Sequence, residues 1–181
     1  MSNRAIIVVD IQNEYFPGGK LPLEGIEKAA ANAAKVVEHA RSAKDLVIYV
    51  QHESADPEIP FFTPGTPEVA IHSVVAPLEQ ETVVVKNFPN SFRETGLKAL
   101  LDEQSIEEVV IIGAMSHMCI DATSRAASDF GYKTTIIHDA CATLDLEFEG
   151  ATVPASQVHA TIMAALAFAY GTVITTDQYV K

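Results

Sequence analysis

Six short, continuous apolar runs rich in Val and Ile punctuate the chain, at residues 5–9, 46–51, 82–85, 109–113, 134–138 and 172–176. Most lack polar alternation, and runs of this length predict strands buried on both faces, as in a parallel sheet. Buried helix fragments share that pattern, so run length and β-branched content decide for strands. Between the runs the period turns helical. Ile26, Ala29, Ala30, Ala33, Val36, Val37 and Ala40 form one apolar stripe, with Lys28, Asn32, Lys35 and Glu38 on the other side. Ser91-Phe92-Arg93-Glu94 has the form of a capping box ahead of Leu97, Leu100 and Leu101. A helix from about 118 to 130 closes at Gly131, and another begins near Pro154 and ends before Gly171. Its stretch 160–170 is apolar nearly all round, so both sides need cover, part of it from another subunit.

Strand and helix alternate along the whole of residues 1–181, which predicts a single α/β domain. The expected architecture is a three-layer α/β/α sandwich with a six-stranded, mostly parallel sheet. The longest irregular stretch, residues 53–67, carries Pro57, Pro60, Pro64 and Pro67. Proline stiffens it as a loop, and loops of this length in compact domains are often lids or binding loops.

Composition narrows the function classes. Apolar residues make up 48% of the 181 and charged residues 20%, the balance of a packed globular chain. The 24 Asp and Glu outnumber the 12 Lys and Arg, for a formal charge of −12. Nucleic acid and anionic membrane surfaces both call for a dense basic face, so neither is an expected partner. No window reaches 18 uninterrupted apolar residues, and the chain starts with no secretory pattern, so a cytoplasmic protein is expected. Cys119 and Cys141 fit a reducing compartment and form no Cys-x-x-Cys.

In an open parallel sheet, ligands sit beyond the carboxyl ends of the strands. There the first run ends in Asp10 and the third in Lys86. The fourth ends in Gly113 and turns through Ala114-Met115-Ser116-His117-Met118 to Cys119. An acid, a base and a thiol thus share one sheet edge. A free thiol has a pKa of about 8.5, and a helix N-terminus and the Lys86 ammonium both favour its thiolate. Asp10 can accept the thiol proton and return it to a leaving amine. Turn N–H groups can hold an oxyanion. The set suits a cysteine amidohydrolase that uses no metal.

At these residues the chain resembles the isochorismatase-like cysteine hydrolases, which include nicotinamidases and share a Rossmann-like fold. Asp10-Ile11-Gln12-Asn13-Glu14-Tyr15 is similar to the family's first-strand motif, and Lys86-Asn87-Phe88-Pro89-Asn90-Ser91-Phe92 to its lysine motif. The stretch from Gly113 through Cys119 to Asp121 resembles its nucleophile loop, and Asp139-Ala140-Cys141-Ala142 its fifth-strand end. The resemblance implies a catalytic triad of Asp10, Lys86 and Cys119. It also implies a cis peptide between Ala114 and Met115 that sets the Met115 N–H beside that of Cys119 as an oxyanion hole. A small-molecule substrate and a homo-oligomer are implied, with no cofactor. One departure matters. Nicotinamidases carry an Asp-x-His metal motif after the second strand, and its positions here hold His52 and Ser54. This argues against a pyridine-binding metal and against nicotinamide. Isochorismate is disfavoured too, since its hydrolysis cleaves a vinyl ether and needs no cysteine. The cysteine favours an amide, a ureide or a similar carbonyl compound.

Blander roles stand beside these. Cys119 can be a small core residue, Asp10 a strand-end cap and Lys86 a solvated strand end. Cys141 reads as a packed bystander. His52 and His72 match no compact metal motif and read as surface or polar-network residues. His117 contacts substrate or braces its loop, and Phe61, Phe62 and Phe88 wall the pocket or fill the core. Two rival functions remain: a thiol redox enzyme using Cys119, resolved by Cys141, and a non-catalytic small-molecule-binding member of the fold.

Overall fold

The computed structural model describes residues 2–181. In chain order the main elements are β1 (Arg4–Val9), α1 (Ile26–Ala43), β2 (Leu46–His52), β3 (Thr82–Lys86), α2 (Leu97–Glu103), β4 (Glu108–Ala114) and α3 (Asp121–Asp129). They continue with β5 (Lys133–Ala142), β6 (Leu146–Phe148), β7 (Ala151–Val153), α4 (Ala155–Ala169), β8 (Thr172–Ile174) and α5 (Thr176–Tyr179). Six strands form one sheet in the order β3-β2-β1-β4-β5-β8, and every pairing in it is parallel.

The alternation of side chains along the strands divides the core in two. Ile6, Val8, Val47, Tyr49, Val110 and Ile112 face the apolar stripe of α1. Ala5, Ile7, Val9, Ile48, Val50, Val109 and Ile111 pack on the other side against Leu97 and Leu101 of α2, Ile120 and Ala127 around α3, and Met163 and Leu166 of α4. These are the three α/β/α layers, and they explain why the central runs carry no polar positions. The seven stripe residues of α1 are all buried. No helix among the described residues is long and apolar enough to cross a membrane.

Three expectations need correcting, and one hairpin is added. The 82–85 run is not buried on both faces. As β3 it is a sheet edge, with Val83 40% and Val85 48% exposed. The Ser91-to-Glu94 capping box does not form. Ser91 is buried, with its hydroxyl 2.8 Å from Thr123 Oγ1, and α2 starts later, after Gly96. The last run stops at Ile174, because Thr175 caps α5. Its hydroxyl accepts from Gln178 N, and Gln178 Oε1 accepts from Thr175 N. Residues 146–153 fold into a β6–β7 hairpin around Glu149 and Gly150, both at positive φ, as a two-residue turn of this kind requires.

The chain runs β1→β2→β3 toward one edge and β4→β5→β8 toward the other. The topological switch point therefore lies between the carboxyl ends of β1 and β4. Gly113 makes that junction close. At φ +130° it pairs with Val9, and a Cβ there would fall 1.8 Å from Val9 O.

Candidate active site

Asp10 follows β1 in the left-handed region, at φ +52°, and its N–H donates to Val50 O at 2.9 Å. An Asp tolerates that conformation better than most side chains. The next polar residues of the motif build a frame. Gln12 donates from Nε2 to His52 O (2.9 Å) and Val69 O (2.6 Å), and its Oε1 accepts from His52 N (2.8 Å). The buried Glu14 carboxylate accepts from Lys20 N at 3.0 Å and Phe62 N at 2.8 Å, which ties the 53–67 loop to the end of β1. These are the residues that let a loop rich in proline hold a fixed path.

Lys86 closes β3 and is buried with its ammonium inside the cluster. Nζ stands 2.7 Å from Asp10 Oδ2, 3.0 Å from His52 Nδ1 and 3.3 Å from Cys119 Sγ. The contact with Asp10 is a buried ion pair, and the carboxylate keeps lone pairs for a further proton. Cys119 lies in a single π-helical turn, Ser116–Ile120, that joins β4 to α3. The Ala114–Met115 peptide bond is cis. The turn is braced from β5 and α4. Ser116 Oγ donates to Ala142 O at 3.2 Å and lies 2.8 Å from His159 Nδ1, and His117 Nδ1 lies 2.7 Å from Thr143 Oγ1.

Burial pushes the Cys119 thiol well above the ordinary thiol range, and the neighbouring Asp10 raises it further, against the opposing pull of Lys86. That direction favours the protonated sulfur, so attack calls for a base. Lys86 is held above its usual value despite burial, because Asp10 and Cys119 favour the ammonium. Burial, with help from Lys86, lowers His52 to about 4.

The structure thus gathers Asp10, Lys86 and Cys119 and adds His52, which the sequence left as a polar-network residue. Ala114 and Met115 border the same turn. Phe62 is buried edge-on to His52 and Tyr15, so it belongs to the core. Phe61 packs against that core, and Phe88 lies under the Arg93 guanidinium, 3.6 Å from its ring centre. Cys141 is buried, with Sγ directed at Ile137 O. His72 stacks on Phe16 and accepts from Val74 N. The positions of the nicotinamidase metal pair do not fit a cation: Lys86 occupies His52 Nδ1, and Ser54 Oγ donates to Asp56 O. A cleft of about 410 Å³ opens nearby between the start of α1, the end of β5 and the start of α4, but it does not reach the Lys86 cluster.

Comparison with known proteins places the chain in one family. The isochorismatase domain matches residues 4–178. The isochorismatase family protein YddQ of Bacillus subtilis (strain 168) is 50% identical over 177 residues, 98% of each chain. A crystal structure of an isochorismatase-family protein from Oleispira antarctica superposes with a TM-score of 0.95 at 50% identity, covering 99% of this chain and 97% of that one. Maleamate amidohydrolase of Pseudomonas putida is 28% identical over 149 residues, 75% of this chain and 70% of that protein.

Proposed function

The chain belongs to the isochorismatase family of hydrolases, and from that premise we propose that it cleaves a C–N bond in a small amide or ureide-type substrate through an acyl-thioester on Cys119. One observation carries this reading: a buried ammonium, Lys86, bridges a carboxylate and a thiol at the switch point, 2.7 Å from Asp10 Oδ2 and 3.3 Å from Cys119 Sγ.

Asp10 takes the thiol proton as Sγ attacks the carbonyl carbon, and the C=O π pair moves to oxygen. Lys86 stabilises the thiolate and orients Asp10. The N–H groups of Met115 and Cys119 hold the oxyanion. Collapse breaks the C–N bond, and Asp10 delivers its proton to the departing nitrogen. Water, deprotonated by Asp10, then attacks the thioester. The C–S bond breaks, and the proton returns to sulfur. The free lone pairs of Asp10 support the base role, and the raised thiol explains why one is needed. The amidohydrolase name of the Pseudomonas putida relative favours an amide.

The proposal includes self-association of this chain through α4. Phe168 is 92% exposed on that helix and Phe148, in the hairpin, 71%. Large apolar side chains this open suit a surface covered by a second copy.

The test is an ammonia-release screen over small amides, ureides and carbamoyl compounds, with and without a chelator. Turnover by the wild type and none by Cys119→Ala is expected. Full turnover by that variant discards the covalent route.

A further inference from the structure

We infer that His52 is a positioning residue for Lys86: a neutral imidazole whose Nδ1 lone pair accepts one of the three ammonium N–H groups, leaving the other two for Asp10 and Cys119. An ammonium has three donors and no acceptor, and three polar atoms lie within 3.3 Å of Nζ, one of them His52 Nδ1 at 3.0 Å. Since Lys86 can only donate, Nδ1 must carry the lone pair, and the ring proton sits on Nε2.

His52 is held through its backbone and across its ring. Gln12 clasps both backbone groups of His52, at 2.8 and 2.9 Å. Phe62 meets the ring edge-on, 5.1 Å between centres. Glu14 in turn fixes the Phe62 backbone at 2.8 Å. The polar residues of the first-strand motif therefore act on Lys86 through His52.

A neutral acceptor suits this place for an electrostatic reason. A carboxylate there would add a second negative charge beside Lys86 and weaken its pull on sulfur. A cation would repel it at contact distance. The charged groups facing His52 are Lys86 on β3 and Asp10 at the end of β1, and Cys119 shares the same ammonium. Burial and Lys86 keep the ring uncharged down to about pH 4.

This role rests on the proposed reaction only for its purpose, because its test reads thiol chemistry and not turnover. The rate of Cys119 carboxamidomethylation is followed by peptide mass spectrometry across pH. His52→Leu and His52→Asp are expected to slow it at least about tenfold at neutral pH, the scale of a lost hydrogen bond to a charged group. His52→Asn, whose amide oxygen can replace Nδ1, rescues most of the rate. In a Lys86→Met background the His52 substitutions change nothing further. Nitrogen NMR of the wild type shows His52 neutral at about pH 6, with the proton on Nε2. An unchanged rate in His52→Leu overturns the inference. So does an equal slowing without Lys86, or a cationic or Nδ1-protonated His52, and the NMR result decides if a variant does not fold. A failed amide screen with this coupling intact would refute the proposed reaction and not the role of His52.

Discussion

Lys86 Nζ stands 2.7 Å from Asp10 Oδ2, and neither side chain has any solvent-exposed surface. The pair is enclosed and close, and each charge depends on the other. Removing one partner strands the other in a low-dielectric site. Asp10→Asn is expected to cost about 3–5 kcal/mol of stability in urea denaturation. Asp10→Asn/Lys86→Met, which removes both charges, should recover much of that loss. Additive destabilisation in the double variant would contradict the pairing.

Cys119→Ala removes the sulfur and leaves the ion pair. Its melting temperature should stay close to that of the wild type, while turnover of any substrate found by the amide screen falls by at least about 10³-fold. Intact-protein mass spectrometry during turnover should show an acyl adduct on the wild type only.

Gly113 permits the close approach of β4 to β1. Gly113→Ala places a Cβ 1.8 Å from Val9 O at φ +130°, so the strands must part. A loss of at least about 2 kcal/mol is expected by chemical denaturation, the range of strained backbone positions. The rate of Cys119 alkylation should change with it, because the same junction sets the distance between the two loops.

Acid should weaken the fold partly through His52. Its pKa is lowered from 6.5 to about 4, first by burial and then by Lys86. Between those values the unfolded chain binds a proton that the native chain refuses, so stability falls as pH drops through this window. Burial lowers His72, His117 and His159 as well, with the same sign. Melting temperatures recorded from pH 7 to 4 should decline less steeply for His52→Asn than for the wild type. Parallel slopes would remove His52 from this account.

Phe168→Glu places a charge on the exposed face of α4, where Phe168 is 92% exposed. If a second copy covers that face, sedimentation velocity should show a shift toward the monomer. An unchanged sedimentation coefficient would move the interface elsewhere.

The central strands and the stripe of α1 were legible in the sequence because both periods are enforced by burial on a sheet covered from two sides. The positions of Asp10 and Lys86 followed from the ends of the first and third runs, and that of Cys119 from the turn after the fourth. Local signals misled where tertiary contacts outweighed them. Ser91 looked like a helix cap, but Thr123 offers it a buried partner. The 82–85 run has the composition of a central strand, yet no described residue pairs with its outer side. The Thr175–Gln178 box and the Glu149–Gly150 turn were present in the sequence but obscured by apolar neighbours. The state of the Cys119 thiol could not be read from residue types, because it depends on how completely water is excluded. The contact of His52 with Lys86 depends on the register of β2 against β3, which pairs the two residues directly.

That register also bears on how a newly made chain acquires its chemistry. The carboxylate, the ammonium and the sulfur come from the ends of β1, β3 and β4, and no two of those strands are joined by a local hairpin. Until non-local pairing is complete, the thiol has neither its base nor its counter-charge. A half-formed or damaged molecule thus carries an ordinary solvent-exposed thiol, and the pH profile of labelling at this one sulfur would serve as a gauge of finished protein.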